Sequence, residues 1–452
     1  MFSLASFIFL LGSLVLASLV NPAAAFAAVL CLFGIKQWGQ STTQMFAYQL
    51  PTLVNYVVGI IVLICAARQW KNDQVFSKRY GTVWVLIACL YFYAYLSSLW
   101  APLPIMNSRI VVMQWIAWFP YVLTIAIFSP FLINKTDDVI NFVKWTIYIG
   151  GLTCALVLFF GRWGYRGLLI EGITRADVWN ETNPLAMATL GGTVAICGFL
   201  MSLHEEVRLR KYLFLLVIPI GVAVIIRSGS RGQLVSLFLA LLIGIPALLN
   251  RSSGAGVRNL IIGLGVVVLL TDIIFTQGLI GGDYQVMASR WSLAETTEAA
   301  SGRIDMLKVL LDKAGGNIFT VIAGIGNSGS FSLFDIYTHI APLEIFAEEG
   351  LIGFSIYVAI LILTFINFRK LMKASNNMLD RRLHQALSVL WILFLFEFFL
   401  SAKQGTLLSS IYVFAYAAML DRLVNRLETE QPPVQEEGES LQFPHKPDNL
   451  MA

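Results

Sequence analysis

Charge is scarce in this chain of 452 residues: Asp, Glu, Lys and Arg together make up 13% of it, about half the share found in soluble globular domains. The net charge of +4 says little about partners, and no basic stripe stands out from the loops, so binding to nucleic acid is not expected. Cysteine is sparse as well. Cys31, Cys65, Cys89, Cys154 and Cys197 all lie within apolar runs and none forms a CxxC pair, which argues against a disulfide framework and against a thiolate metal site. The chain has no Walker loop, no HExxH and no GxSxG elbow. The loops assigned below to the outer side lack a DxD-type acidic pair. A metal-bound sugar nucleotide is therefore not indicated, and neither a metal nor a cofactor is expected.

In place of charge there are long apolar runs. The chain is 57% hydrophobic, with a mean hydropathy of +0.74, and the apolar residues come in blocks long enough to cross a hydrocarbon core of roughly 30 Å. The fold class expected is all-α, a polytopic helical membrane protein with about 12–13 transmembrane helices. A β-barrel is excluded, since its strands would alternate polar and apolar over about 10 residues. The candidate spans are 2–20, 22–37, 52–68, 81–98, 110–132, 139–161, 183–203, 211–227, 232–249, 258–276, 342–368, 384–401 and 404–420. The first reads as an uncleaved span rather than a signal peptide, because no Lys or Arg precedes it.

Lys/Arg bias in the short loops orients the bundle. One alternating set carries Arg68, Lys71, Lys78 and Arg79, then Lys135, then Arg208, Arg210 and Lys211, then Arg251 and Arg258, then Arg369 to Arg382, with Arg422 and Arg426 in the tail. This set is assigned to the cytoplasm of a bacterial cell. The complementary loops 99–109, 162–182, 228–231, 277–341 and 402–403 then face the periplasm. Three regions follow: N-terminal transmembrane helices in 1–161, a catalytic transmembrane region in 162–426, and a Pro/Glu-rich tail in 427–452 expected to be disordered in the cytoplasm. The loop 277–341 is the one long connection between spans, and connections above about 15 residues are usually functional or disordered. Its residues 303–313 have helical apolar spacing at Ile304, Leu307, Leu310 and Leu311, with Ser301-Gly302 as a possible start and Gly315-Gly316-Asn317 as a stop. A glycine-rich turn follows at 324–330. The loop therefore reads as a small ordered cap on the membrane domain.

The outward loops hold more arginine than the orientation rule favours. Arg162, Arg166 and Arg175 lie between spans six and seven, Arg227 and Arg231 bracket a short step, and Arg290 and Arg303 lie in the long loop. Guanidinium groups bind phosphate as a bidentate fork, so an outward cavity lined by several of them suits a diphosphate-linked lipid. The bland alternative, for Arg162 and Arg166 above all, is snorkelling at the interface. His339 is the single histidine in the outward loops. Its imidazole titrates near neutral pH and can take a proton from a sugar hydroxyl, or it is a surface histidine with no role. Glu344, Glu348 and Glu349 sit at the head of a span, where a helix dipole alone would favour them; Glu344 and Glu348, one turn apart, could also face the arginines or orient His339. Asn183-Pro184 opens span seven as an ordinary helix start or as a polar lining of a lipid-carrier site.

These residues resemble a known family. Arg227-Ser-Gly-Ser-Arg231-Gly-Gln-Leu-Val is similar to the Ser-Arg-Gly segment that begins the conserved domain of the O-antigen ligase/polymerase family. Ser301-Gly302-Arg303 resembles that family's loop arginine. Gly324-Ile325-Gly326, then Thr338-His339, then Leu343-Glu344 through Glu348-Glu349-Gly350 to Gly353 resembles its glycine-to-histidine stretch, and Asn183-Pro184-Leu185-Ala186 resembles a segment before it. The likeness covers roughly 180–355 and rests on the order and spacing of the pieces. It departs at Ile340, where members often carry a polar residue. The resemblance implies a metal-independent, inverting glycosyltransferase of the inner membrane that moves a glycan from undecaprenyl diphosphate to an acceptor hydroxyl of a glycan, lipid or protein on the periplasmic side. Mapped here, Arg231 and Arg303 would grip the diphosphate, His339 would activate or position the acceptor hydroxyl, and Glu344 would support it, with Arg227, Arg290 and Asn183 as further substrate contacts. Ligase and polymerase both stay open, with a lean to the ligase-like label. From other classes, a transporter or flippase of lipid-linked oligosaccharide would predict mid-membrane charges, of which Glu397 and Asp272 are the exceptions to a general lack, and inverted repeats. A non-catalytic assembly scaffold is a third possibility.

Overall fold

The computed structural model describes residues 2–72, 81–102, 119–164, 167–171, 181–249, 262–263, 293–334, 339–378 and 380–430. Nearly all of them are helical. The elements are α1 (Phe2–Val20), α2 (Pro22–Thr42), α3 (Leu53–Asn72), α4 (Thr82–Ser97), α5 (Phe119–Phe128), α6 (Thr136–Phe160), α7 (Pro184–His204), α8 (Arg208–Arg227), α9 (Arg231–Leu249), α10 (Leu293–Ala314), α11 (Ile318–Ala323), α12 (Gly329–Phe334), α13 (Ala341–Met378), α14 (Arg381–Gln404) and α15 (Ile411–Glu430). Among the described residues there is no strand, only isolated bridges pairing Trp163 with Leu168 and Leu169 with Glu181.

Seven of the described helices are long and apolar enough to cross a membrane. This is a multi-pass, all-α membrane protein. Hydropathy sorts these helices by position. α1, with a mean of 2.3 over its span, leaves most of its surface uncovered, whereas α2, at 1.3, is mostly buried inside the bundle. A helix facing lipid must be apolar all round, while one packed among other helices can carry polar groups if those groups find partners. The central helices α2, α7 and α14 accordingly hold the buried, hydrogen-bonded polar residues Gln37, Thr193 and Ser401. α7 and α8 approach closely at small residues. A Cβ at Gly191 would stand 2.5 Å from the carbonyl oxygen of Gly221, the kind of backbone approach that glycine permits between membrane helices.

The apolar runs and the helices coincide along most of the chain. The segment 258–276 lies outside the described residues except for 262 and 263. Several boundaries differ from expectation. The last span does not begin at 404: α14 ends at Gln404, and Gly405–Ser410 form a buried turn before α15 starts at Ile411. The backbone leaves the helix there because hydroxyl groups satisfy it. Thr406 N–H donates to Ser409 Oγ at 2.7 Å, and Ser410 Oγ donates to the Thr406 carbonyl at 2.6 Å. α15 then runs to Glu430, so 427–430 are helical rather than part of a disordered tail; 431–452 lie outside the described residues. The loop helix starts earlier than Ser301-Gly302, at Leu293, but stops at Gly315-Gly316, where Asn317 caps α11 through Thr320 N–H. α13 extends to Met378 and is broken at Gly350, whose φ of 63° and ψ of −166° are not helical.

The end of the bundle that carries Arg382, Arg422 and Arg426 is held by side chains reaching between helices. Arg382 pairs with Asp137 at 3.4 Å, Arg422 Nε donates to Asn134 Oδ1 at 3.0 Å, and Arg426 donates to the Asn134 carbonyl. Buried Asp421 on α15 supplies the N-terminal cap that Gly81 cannot give to α4. It accepts from Val83 N–H at 3.0 Å, from Trp84 N–H at 3.3 Å and from Asn367 Nδ2 at 2.9 Å. Losing a cap and stranding these donors costs about 2–3 kcal/mol. Asp421→Ala is therefore expected to lower the unfolding free energy by about that amount, and Asp421→Asn by roughly half as much, since one acceptor oxygen remains. Thermal or SDS denaturation of the detergent-solubilised protein measures both.

Candidate functional site

At the opposite end of α14, about 30 Å from Arg382 by helix rise, the last two residues of the helix gather side chains from three distant segments. Arg303 on α10 donates from Nη1 to the Lys403 carbonyl at 3.3 Å. Gln233, two residues into α9, donates to Gln404 Oε1 at 2.6 Å. The Lys403 side chain lies against Gly232, where a Cβ would overlap its Nζ. Arg231, the residue before Gly232, opens α9 at this point. His339, just before α13, is hydrogen-bonded through its ring to the backbone of Gln404.

His339 has two further marks of a constrained position. Its φ is 62°, a left-handed conformation that costs a non-glycine residue on the order of 1–3 kcal/mol and persists only where its surroundings enforce it. Its imidazole is held below the ordinary range, first by burial and then by the positive charges of Arg303 and Lys403, against the opposing hydrogen bond to Gln404. The ring is therefore neutral at pH 7, one nitrogen donating to the Gln404 carbonyl and the other carrying a lone pair.

A cavity of about 320 Å³ opens beneath His339 between α2, α7, α14, α15 and the 405–410 turn. Polar groups line it from several helices: His339, Asn183, Gln37, Lys36, Gln404 and Glu397. Asn183 caps α7 by accepting from Leu185 N–H at 2.9 Å, and its own N–H donates to Gln37 Oε1 at 2.8 Å. The ordinary helix-start reading of Asn183 holds, and the residue also forms part of the cavity wall. A larger cavity, about 480 Å³, lies at the other end of the bundle among Lys135, Asp137, Asp380, Arg382 and Arg426, where Arg382 pairs with Asp137, Asp380 caps α14 and Arg426 donates to the Asn134 carbonyl.

The other residues singled out from sequence are distributed as follows. Arg227 ends α8 and stacks over the Trp163 ring at 5.7 Å. Arg162 is exposed, in line with snorkelling. Arg166, Arg175, Arg290 and Asp272 lie outside the described residues. Glu344 is buried in the first turn of α13 and is not part of the cavity wall. Glu348 and Glu349 hold the glycine-rich turn instead of facing the arginines. Glu348 accepts from Ser328 N–H at 3.0 Å and Ser330 N–H at 2.9 Å, and Glu349 accepts from Asn327 Nδ2 at 2.9 Å. Lys36, Gln37, Lys403, Gln404 and the 405–410 turn were not singled out. An ionisable residue inside an apolar run was the available signal for Lys36.

The arrangement combines fixed cations with a neutral imidazole at a cavity mouth. It can hold a polyanion beside a group that accepts a proton. Among the described residues no cluster of His, Cys, Asp and Glu is placed to hold a metal ion. No protein-family model matches the chain, and no curated protein matches it.

Proposed function

We propose that this protein is a membrane glycosyltransferase that moves a glycan from undecaprenyl diphosphate to an acceptor hydroxyl on the periplasmic side of the bacterial inner membrane, as in the O-antigen ligase/polymerase family whose motifs it resembles. The observation that carries this reading is the meeting of Arg303, the Arg231 turn and His339 at Lys403-Gln404. That meeting lies at the bundle end opposite the Lys/Arg-rich set. In the transfer, the acceptor oxygen attacks the anomeric carbon as the carbon–oxygen bond to the diphosphate breaks. The electron pair leaves with the diphosphate, whose charge Arg231, Arg303 and Lys403 stabilise. The acceptor proton passes to the free nitrogen of His339. The reaction is inverting and calls for no metal or nucleotide.

Ligase and polymerase differ in acceptor, and a deletion strain separates them. Long chains accumulating on the carrier mark a ligase; single repeats mark a polymerase. Unchanged surface polysaccharide would overturn both. The pH profile gives an independent test. Because burial and two cations hold His339 down, transfer is expected to be level near pH 7 and to fall only as the pH drops through a value below the ordinary imidazole value of about 6.5. Lys403→Gln removes one of those cations and should move that acid limb upward. An unmoved limb would exclude His339 as the titrating group.

One feature favours a second reading. Lys36 and Glu397, ionisable groups within spans, share the cavity wall, as in transporters with charged residues along a substrate path. Lipid-linked repeats retained on the cytoplasmic leaflet of the deletion strain would support a flippase over an enzyme.

A further inference from the structure

Glu397 and Lys36 occupy an unusual situation. Glu397 is 8% exposed, within a span, and lines the cavity. Among the described residues it makes no hydrogen bond and no ion pair. Lys36, on α2, lines the same cavity and is likewise unpaired, with Glu397 or with any other described residue. A charged group inside a membrane is costly and ordinarily pairs or meets water or a ligand. Two such ionisable groups sharing one cavity wall without a described partner leave their hydrogen-bonding capacity to whatever fills the cavity.

The cavity has a direction. Glu397, Ser401 and Gln404 follow one face of α14 at spacings of four and three residues, so Glu397 sits about 10 Å below the residue that holds His339. Arg231 and Arg303 are not part of the cavity wall, whereas His339 is. His339 is thus the boundary between a cationic rim and a cavity that carries the carboxyl group of Glu397. The lining suits a polyol: the Glu397 carboxylate accepts from hydroxyl groups, Lys36 and the amides of Gln37 and Gln404 donate to them, and Phe33 and Tyr412, edge to face at 6.3 Å, offer apolar walls to the face of a sugar ring. The volume of about 320 Å³ falls within the range of roughly 300–1,000 Å³ typical of small-ligand pockets.

We infer that the cavity beneath His339 is the acceptor-sugar subsite, its hydroxyl groups read by Glu397 and Lys36. This rests on the glycosyltransferase reading but is testable apart from it. The full-length protein in detergent is titrated calorimetrically with methyl glucoside, methyl galactoside, methyl mannoside and methyl N-acetylglucosaminide. At least one should bind the wild type at millimolar concentration. Glu397→Gln and Lys36→Met should each weaken that binding by about tenfold or more, the effect of losing a buried hydrogen-bond partner of the sugar, while Arg382→Gln at the far end leaves it unchanged. Size-exclusion profiles identify any variant that has not folded. Absence of glycoside binding by the wild type, or equal binding by folded Glu397→Gln and Lys36→Met, overturns the subsite. In parallel, carrier-linked glycan from deletion-strain membranes is supplied as donor. The acceptor KM should rise in Glu397→Gln while donor hydrolysis by water stays within about twofold of wild type. A wild type that transfers, with an unmoved acceptor KM in Glu397→Gln, overturns the subsite and leaves the enzyme reading standing. Glycoside binding that depends on Glu397 in a protein that never transfers does the reverse.

Discussion

Replacing His339 with alanine is expected to lower glycan transfer by about 10²–10⁴-fold, the usual contribution of a positioned general base, while the protein still inserts. Arg303→Ala and Arg231→Ala are each expected to lower it by about 10²–10³-fold, comparable to removing one group that stabilises developing negative charge. The variants should differ in kind. Arg303 is bound to the end of α14 by its hydrogen bond to the Lys403 carbonyl, and its charge acts on a leaving diphosphate. Arg303→Lys should therefore recover part of the loss, because charge survives although the guanidinium fork does not. His339→Gln should recover little, because an amide cannot take up a proton at neutral pH. Arg162→Ala is the control: its side chain is exposed, and transfer should stay near the wild-type level. Restoration of surface polysaccharide in the deletion strain, read beside membrane protein level, measures the series. Normal polysaccharide from His339→Ala, Arg303→Ala and Arg231→Ala alike would remove the site.

The spans were legible because hydrocarbon leaves so few options: an apolar run of the right length has to be a helix, with every backbone group satisfied inside it. The start of the last span was not legible, because Gly405, Thr406, Ser409 and Ser410 are uncharged and their hydroxyls satisfy the backbone without a helix. At the site, Arg231 and Arg303 stood out as cations in loops assigned to the outer side, and His339 as the single histidine there. Of Lys403 and Gln404, the pair that draws them together, the first had read as part of a bare two-residue connection and the second as the start of the last span. Which loops meet is decided by helix packing across more than a hundred residues, and no local pattern encodes it. Lys36 was diluted by its apolar neighbours, and Glu397 stood out only as a mid-span charge with no partner in view. The acidic pair Glu348-Glu349 could be seen, but its targets could not, since they are backbone N–H groups and polar side chains of a turn some twenty residues away.

Gly350→Ala is expected to disable the protein as completely as loss of His339, from a position that need touch no substrate. The glycine-rich turn docks on the break in α13 backbone to backbone. Ile325 N–H donates to the Ala347 carbonyl at 3.0 Å and Gly326 N–H to the Glu348 carbonyl at 2.9 Å, while Tyr93 on α4 donates its hydroxyl to the Ala323 carbonyl at 2.9 Å. Gly350 and Gly324 make this approach possible. Their φ values of 63° and 80° combine with extended ψ, a region essentially reserved for glycine. A Cβ at Gly350 would overlap the Gly324 nitrogen and the Ile322 carbonyl, and one at Gly324 would overlap the Glu348 carbonyl. These are backbone atoms that cannot swing aside. Strain and overlap together should cost about 4 kcal/mol or more locally, enough to lift the turn with α10–α12 off the bundle and carry Arg303 from its place. A displacement of about 1 Å at a reacting centre can cost about 10²-fold in rate, so transfer should fall by at least that much in Gly350→Ala and Gly324→Ala. Limited proteolysis should find new cleavage in 293–334 while the membrane helices stay intact. Gly302→Ala sets the contrast. It adjoins Arg303, its added Cβ would meet nothing within 4 Å, and alanine favours the interior of α10 by about 0.5–1 kcal/mol, so both transfer and protease resistance should hold. Equal loss from Gly302→Ala and Gly350→Ala would mean that the turn does not position Arg303 through its docking on α13.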